Sequence, residues 1–346
     1  MRTRWQQTGF VPPRGLANPH VQTLLPRLLP RPRLTRTQED LELPDGDFVE
    51  LNWILPAPAS PQAPLFVLFH GLEGSFQSPY ARWLLATASG MGWRSLLMHF
   101  RGCGNQPNRL PRAYHSGDTA DAYWLISELS RRYPKALKVA AGVSLGGNML
   151  LKLVAEQGGD GLDLAGAIIV SAPLDLAASA ERLHQGFSRV YERHLLNALK
   201  RKVAPRLARG ELPLSLESRE LARIDSLRGY DDAVTAPLHG FRDAADYYHR
   251  ASAGRLLGNV ALPTLILHAD DDPFMPAGLF ERLPKPTDAV RLEIARHGGH
   301  VGFVERCGQR LRPWLAQRLA HELACWTGTG AAWQSAMDRH LSRSDN

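Results

Sequence analysis

The chain has 346 residues, 44% hydrophobic and 22% charged, with a formal net charge of +7 and an isoelectric point near 9.5. That length can bury a large core, as one big domain with an insertion or as two domains, and the composition is that of an ordinary globular protein. The three cysteines, Cys103, Cys307 and Cys325, lie far apart with no C-x-x-C pair, which argues against a disulfide framework or a zinc site and for a reducing, cytoplasmic setting. The N-terminal Met1 to Gln7 is basic but lacks an apolar stretch, so no secretory signal is expected. The longest apolar candidate for a membrane span, Leu164 to Ala180, is interrupted by Pro173 and Asp175. A modest basic excess is more often solvated arginine than a sign of an acidic partner, and no nucleic-acid binding is expected.

Residues 1–35 are rich in Pro and Arg and read as an arm packed on the main body, with at most one short helix. Strands follow near 37–43 and 47–55, joined by the turn Pro44-Asp45-Gly46-Asp47, and the loop Pro56 to Pro64 leads into the apolar run Leu65 to Phe69. A continuous apolar run of that length suits a buried parallel strand. From there strands and helices alternate. The pattern predicts a helix over Tyr80 to Met91, a strand over Trp93 to Phe100, a helix over Ser116 to Tyr133, a strand from Leu137, its helix, and a strand over Leu164 to Ser171. Alternation of this kind implies a mostly parallel sheet flanked by helices, which binds ligands at the carboxyl ends of its strands. It stops near residue 174 and resumes at about Leu262, with strands at Pro263 to His268 and Val290 to Ile294 and a helix from about Gln309 to Trp326. The expected organisation is an arm (1–35), a core (36–173 and 259–327), a helical cap insertion (174–258) and a C-terminal tail with a short helix (328–346).

Between the strand from Leu137 and its helix stands G-x-S-x-G, as Gly142, Ser144 and Gly146. A serine that attacks a carbonyl must stand on a sharp strand-to-helix turn, where side chains two residues either side would collide. The spacing alone is weak; its strand-before, helix-after setting strengthens it. A nucleophilic serine needs a base, and the base an orienting acid. Ser144, the run Asp270-Asp271-Asp272 and His300 follow three predicted strands in the order Ser, Asp, His expected of an α/β-hydrolase. His300 is preferred to His297 because Gly298-Gly299 lets its loop enter a crowded site. Asp272, at the Pro-bounded tip of its turn, is the preferred acid, with Asp271 second and Asp270 also possible. An oxyanion hole needs two amides aimed at one point: one from Leu145, the other from the loop after His70-Gly71, most simply that of Leu72.

Other chemistries lack their signatures. There is no G-x-x-x-x-G-K-[ST] and no G-x-G-x-x-G after a strand, so no nucleotide or other cofactor is expected. The aspartate run lacks further ligands at useful spacing, and His297 and His300 share H-x-x-H on a loop rather than a helix, so no metal is expected. H-x-x-x-x-D occurs only in the tail, from His340 to Asp345, and Cys103 reads as a packed rather than a reactive thiol.

With these residues in view, the chain resembles the α/β-hydrolase superfamily, specifically its YheT-type subfamily of hydrolases and esterases, over roughly residues 15 to 325. The matching stretches are Asn18-Pro19-His20-Val21-Gln22-Thr23, His70-Gly71-Leu72-Glu73-Gly74, Phe100-Arg101-Gly102-Cys103-Gly104, Tyr114-His115-Ser116-Gly117-Asp118, Gly142 to Asn148, Asp271-Asp272-Pro273-Phe274 and Gly298 to Phe303. The resemblance implies the α/β-hydrolase fold with Ser144 as nucleophile, Asp272 as acid and His300 as base. It also implies a small-molecule or lipid ester as substrate. The leading expectation is a serine hydrolase of carboxylic esters. An acyltransferase using the same acyl-enzyme, or a binding protein without catalysis on the same scaffold, are the alternatives. Between 181 and 210 eight basic residues (Arg182, Arg189, Arg193, Lys200, Arg201, Lys202, Arg206, Arg209) face only Glu181 and Glu192. A solvated helical face and peripheral contact with an anionic membrane are equally weighted readings of that excess.

Overall fold

In the strand Leu65–Phe69, successive apolar side chains serve two different cores: Leu65, Val67 and Phe69 join one buried cluster, Phe66 and Leu68 another. A strand apolar on both faces must lie inside a sheet covered on both sides. The computed structural model, which describes residues 6–159 and 161–328, has that architecture. In chain order the sheet contains β1 (Gln6–Gln7), β2 (Thr35–Glu42), β3 (Phe48–Leu55), β4 (Leu65–Phe69), β5 (Arg94–Met98), β6 (Lys138–Val143), β7 (Gly166–Val170), β8 (Thr264–Ala269) and β9 (Val290–Ala295). Their spatial order is β1-β9-β8-β7-β6-β4-β5-β3-β2. Pairing is parallel from β1 to β5, and β3 joins β5 and β2 antiparallel.

The helices Pro79–Gly90 and Trp314–Trp326 cover one face, packing Leu84, Leu85, Leu315 and Leu319 against Phe66, Leu68 and Ile168. On the other face Ala120–Arg132 and Leu145–Gln157 bring Leu125, Leu129, Met149 and Leu153 onto Leu65, Val67 and Leu96. This is the mostly parallel, helix-flanked sheet expected from the sequence.

Between β7 and β8 the chain forms the helices Leu176–Leu183, Ser188–Ala208, Ser218–Arg223, Leu227–Tyr230 and Ala244–Ala251, and no strand among the described residues. Leu183, Tyr191, Leu196, Val203, Leu227 and Val234 give the segment its own apolar cluster. That cluster reaches Leu72, after β4, and Phe274, after β8, so the segment lies over the carboxyl ends of the strands.

Three local features differ from expectation. The arm adds a strand: β1 pairs parallel with β9 through Gln6 and Gln7, two polar residues with no apolar alternation to announce it. The helix expected from Gln309 begins at Trp314, because a hairpin of β10 (Val304–Cys307) and β11 (Arg310–Pro313) turns at Gly308, whose φ is +56°. The helix expected from Ser116 begins at Ala120, and the residues before it are held in a turn: the Ser116 amide donates to the Tyr247 hydroxyl and Asp118 binds Arg112. The C-terminal helix and the H-x-x-x-x-D of the tail lie outside the described residues, as does Met1 to Trp5.

Candidate active site

Ser144 occupies the turn between β6 and the helix Leu145–Gln157 at φ 53° and ψ −121°, a conformation that costs a residue with a β-carbon about 1–3 kcal/mol. The two glycines make the turn possible. A β-carbon at position 142 would lie 2.3 Å from the Gly146 carbonyl oxygen, and one at 146 would lie 2.4 Å from that of His70. The second clash also shows how closely the elbow approaches the end of β4.

β8 ends just before Asp270-Asp271-Asp272, and β9 just before the loop that carries His300. The structure brings three of the expected residues into one line. His300 Nε2 lies 3.0 Å from Ser144 Oγ, and His300 Nδ1 lies 2.9 Å and 3.2 Å from the two oxygens of Asp272. A carboxylate only accepts, so Nδ1 carries the proton and Nε2 turns a lone pair to the serine hydroxyl. Asp272 is buried with its side chain 1% exposed, His300 with 9%. Phe274 stacks on the imidazole at 3.8 Å between ring centres and 5° between planes, and its own amide donates to Asp272. The other candidates are elsewhere. Asp271 accepts from the Gly299 amide and pairs with His297, bracing the histidine loop from outside, and Asp270 is exposed. Among the described residues no group of three or more His, Cys, Asp or Glu gathers to hold a metal ion.

Leu145 is the first residue of the elbow helix, so its amide has no partner within that helix. Gly71 lies against Ser144: a β-carbon added there would sit 3.1 Å from the serine's own. Leu72, the next residue, lines the same cavity as Ser144 and Leu145. Ser144 and His300 form part of the wall of a cavity of about 840 Å3 whose other lining includes Leu176, Leu183, Leu195, Leu199, Val234 and Phe274. An apolar cavity of this size with a few convergent polar groups is typical of a small-molecule site.

Comparison with known proteins gives the family. A family profile described as "alpha/beta hydrolase fold" matches residues 64–306. The chain belongs to the α/β-hydrolase family. It is of the YheT type, being 47% identical over 318 residues to "Putative esterase YheT" of Escherichia coli (strain K12), covering 90% of this chain and 91% of that one. It is also 28% identical to "Phospholipase ABHD3" of Mus musculus, over 82% of this chain and 70% of the other. Among solved structures, the Pyrococcus furiosus esterase Pf2001 superposes with a TM-score of 0.53 at 14% identity, over 91% of this chain and 97% of that one, a likeness of fold.

Several residues that hold this α/β-hydrolase site together were not assigned a role from the sequence. The stretch Asn18 to Thr23 is one case. Asn18 caps a short helix, Pro19–Leu24; buried Gln22 accepts from the Val304 amide; and Thr23 Oγ1 accepts from the His300 amide at 2.9 Å. The arm therefore buttresses the histidine loop.

A second set fixes the loop after β4. The Phe100 amide donates to His70 Nε2, so the His70 proton is on Nδ1, which donates to the Gly71 carbonyl at 2.7 Å. Full burial pushes His70 down to about 3, keeping it neutral. Tyr80 accepts from the Gly71 amide, while Tyr114 accepts from the Glu73 amide and donates to the Glu73 carboxylate. Lys202, on the long helix Ser188–Ala208, donates to Glu73 at 2.9 Å and contacts Cys103 Sγ at 3.1 Å. Burial pushes the Cys103 thiol up to about 11, so it stays protonated and unreactive. The signal for this set was present in the stretches His70 to Gly74 and Tyr114 to Asp118, but their mutual contact was invisible without the fold.

Proposed function

We propose that the protein is a serine hydrolase of carboxylic esters, with Ser144 as nucleophile, His300 as general base and Asp272 as its orienting acid. The observation that carries this reading is the continuous line from Asp272 through His300 to Ser144 Oγ, opening on a large apolar cavity. Ser144 Oγ attacks the ester carbonyl as His300 Nε2 takes its proton, and Asp272 stabilises the imidazolium that results. The negative charge on the carbonyl oxygen meets the amides of Leu72 and Leu145, aided by the N-terminus of the elbow helix. Collapse expels the alcohol with the proton from His300, leaving an acyl-serine. Water, activated by the same histidine, releases the acid and regenerates Ser144.

The cavity and the names of the relatives support an ester with a long apolar portion, of lipid type. The helical segment between β7 and β8 supplies much of the apolar lining and would act as the cap that selects it. A series of p-nitrophenyl esters of increasing chain length, with and without an added alcohol, tests this reading. Rising kcat/KM with chain length and release of free acid are expected. Ester formation with the alcohol as the dominant product would make the protein an acyltransferase on the same acyl-enzyme, and no turnover of any ester would overturn the reading.

A further inference from the structure

The basic triplet Lys200-Arg201-Lys202 is not one exposed cationic face. Lys200 donates to the carbonyls of Ala222 and Ile224, and Lys202 turns inward to Glu73. The unpaired charge lies along another line. The arm segment from His20 to Leu28 runs beside the long helix Ser188–Ala208. His20 meets that helix at its start, stacking 4.5 Å from Phe187 and bonding the Tyr191 hydroxyl. Arg27 meets it two turns on, where burial first, then the charges of Arg27 and Arg201, lower the His194 pKa. The two segments together present bare apolar side chains: Leu28 is 81% exposed, Val190 57% and Phe187 52%, with Val21 and Leu24 beside them.

Around these stand Arg27, Arg189, Arg193 and Arg201. Among the described residues no carboxylate pairs with any of them. The nearby acids are engaged elsewhere: Glu192 is buried on His184 and the Leu227 amide, and Asp271 holds His297. Leu24, Arg27, His194 and Arg201 also line the cavity that contains Ser144, so this face is the rim of the site's opening.

We propose that this rim is a docking surface for an anionic lipid bilayer, Leu28, Phe187 and Val190 entering the interface while Arg189, Arg193 and their neighbours meet the head groups. Exposed apolar side chains ringed by unpaired cations are the composition that suits a bilayer of that charge. Continuity with the cavity means that a docked molecule would face its site toward the lipid. The inference concerns binding and does not depend on the hydrolytic reading.

The test is co-sedimentation of the full chain with phosphatidylcholine vesicles, with and without about a third phosphatidylglycerol. Each basic residue at an anionic surface raises partitioning about fivefold. Binding to the anionic vesicles only, falling roughly twenty- to thirtyfold in the Arg189→Gln/Arg193→Gln double variant, is expected. Comparable loss is expected in Leu28→Ser/Phe187→Ser/Val190→Ser. Far-ultraviolet circular dichroism and the thermal midpoint report that each variant is folded, and neither should change turnover of a soluble short-chain ester. Equal binding by native and variant chains, or no binding to either vesicle, would overturn the proposal. So would a dimer in sedimentation velocity that these same substitutions dissolve, since the face would then belong to a second copy of the chain.

Discussion

Three aspartates stand in a row after β8, and only their side-chain directions separate them. Asp272 meets His300 from a buried position, Asp271 meets His297 and the Gly299 amide, and Asp270 faces outward. Asp272→Asn should therefore lower kcat on a soluble ester by about 10⁴, as in serine proteases whose triad acid is made neutral. Asp271→Asn should cost far less, and Asp270→Asn least. A crippling effect at position 271 and a mild one at 272 would move the acid by one residue and contradict the geometry. The serine and the histidine were legible in sequence because glycines flank the one and precede the other at strand ends. From the residues alone, the choice among the aspartates rested on the adjacent proline, and the family resemblance pointed to the same one. Thr23 was not legible at all: its partner, the His300 amide, is 277 positions away. Thr23→Val keeps the shape and deletes the acceptor, and it should lower kcat by roughly tenfold by loosening the histidine's position.

Among the elements, the long helix Ser188–Ala208 is tied to the loop after β4 through Lys202 and Glu73. Glu73 has φ 54° and is followed by a crowded Gly74, so this loop is strained and held by side chains rather than by sheet pairing. Lys202→Met should let the Leu72 amide shift, lowering kcat roughly tenfold with a smaller change in KM, less than the hundredfold or more that follows outright loss of an oxyanion donor. Glu73→Gln should behave alike, and the double variant should be no worse than either single one, because both remove one interaction. Additive losses would mean the two residues act separately. The helical character of residues between β7 and β8 was readable from periodicity and charge. The contacts of Lys202 were not, since a lysine in a basic run looks like every other. The hairpin β10–β11 was missed for a related reason. Its strands, Val-Glu-Arg-Cys and Arg-Leu-Arg-Pro, are too short and too charged to stand out from a helix start.

For the molecule as a whole, buried histidines set the response to acid. His70 is pushed down to about 3 and His268 to about 4 by burial, and His99 is also lowered, chiefly by burial, although Glu50 opposes it. All three are buried, and unfolding returns each to an ordinary value of 6.5. Between pH 6.5 and about 4 the unfolded chain therefore holds more protons than the native one, and stability falls as pH drops through that window. Each fully displaced histidine contributes about 1.4 kcal/mol per pH unit. Asp231, raised to about 6 by burial, acts in the opposite direction, as do Asp121, Asp270, Asp271 and Glu305, but His115 and His239, also lowered chiefly by burial, add to the histidine side. The urea midpoint should thus be clearly lower at pH 5 than at pH 7; an unchanged or higher one would mean these histidines are protonated in the native state. That Ser144 is the group that becomes acylated is tested most directly by treating the protein with a fluorophosphonate and locating the adduct by peptide mass spectrometry. A single adduct on Ser144, absent from Ser144→Ala and slowed in His300→Ala, is the predicted result. An unlabelled protein, or a label on any other residue that persists in Ser144→Ala, would contradict it.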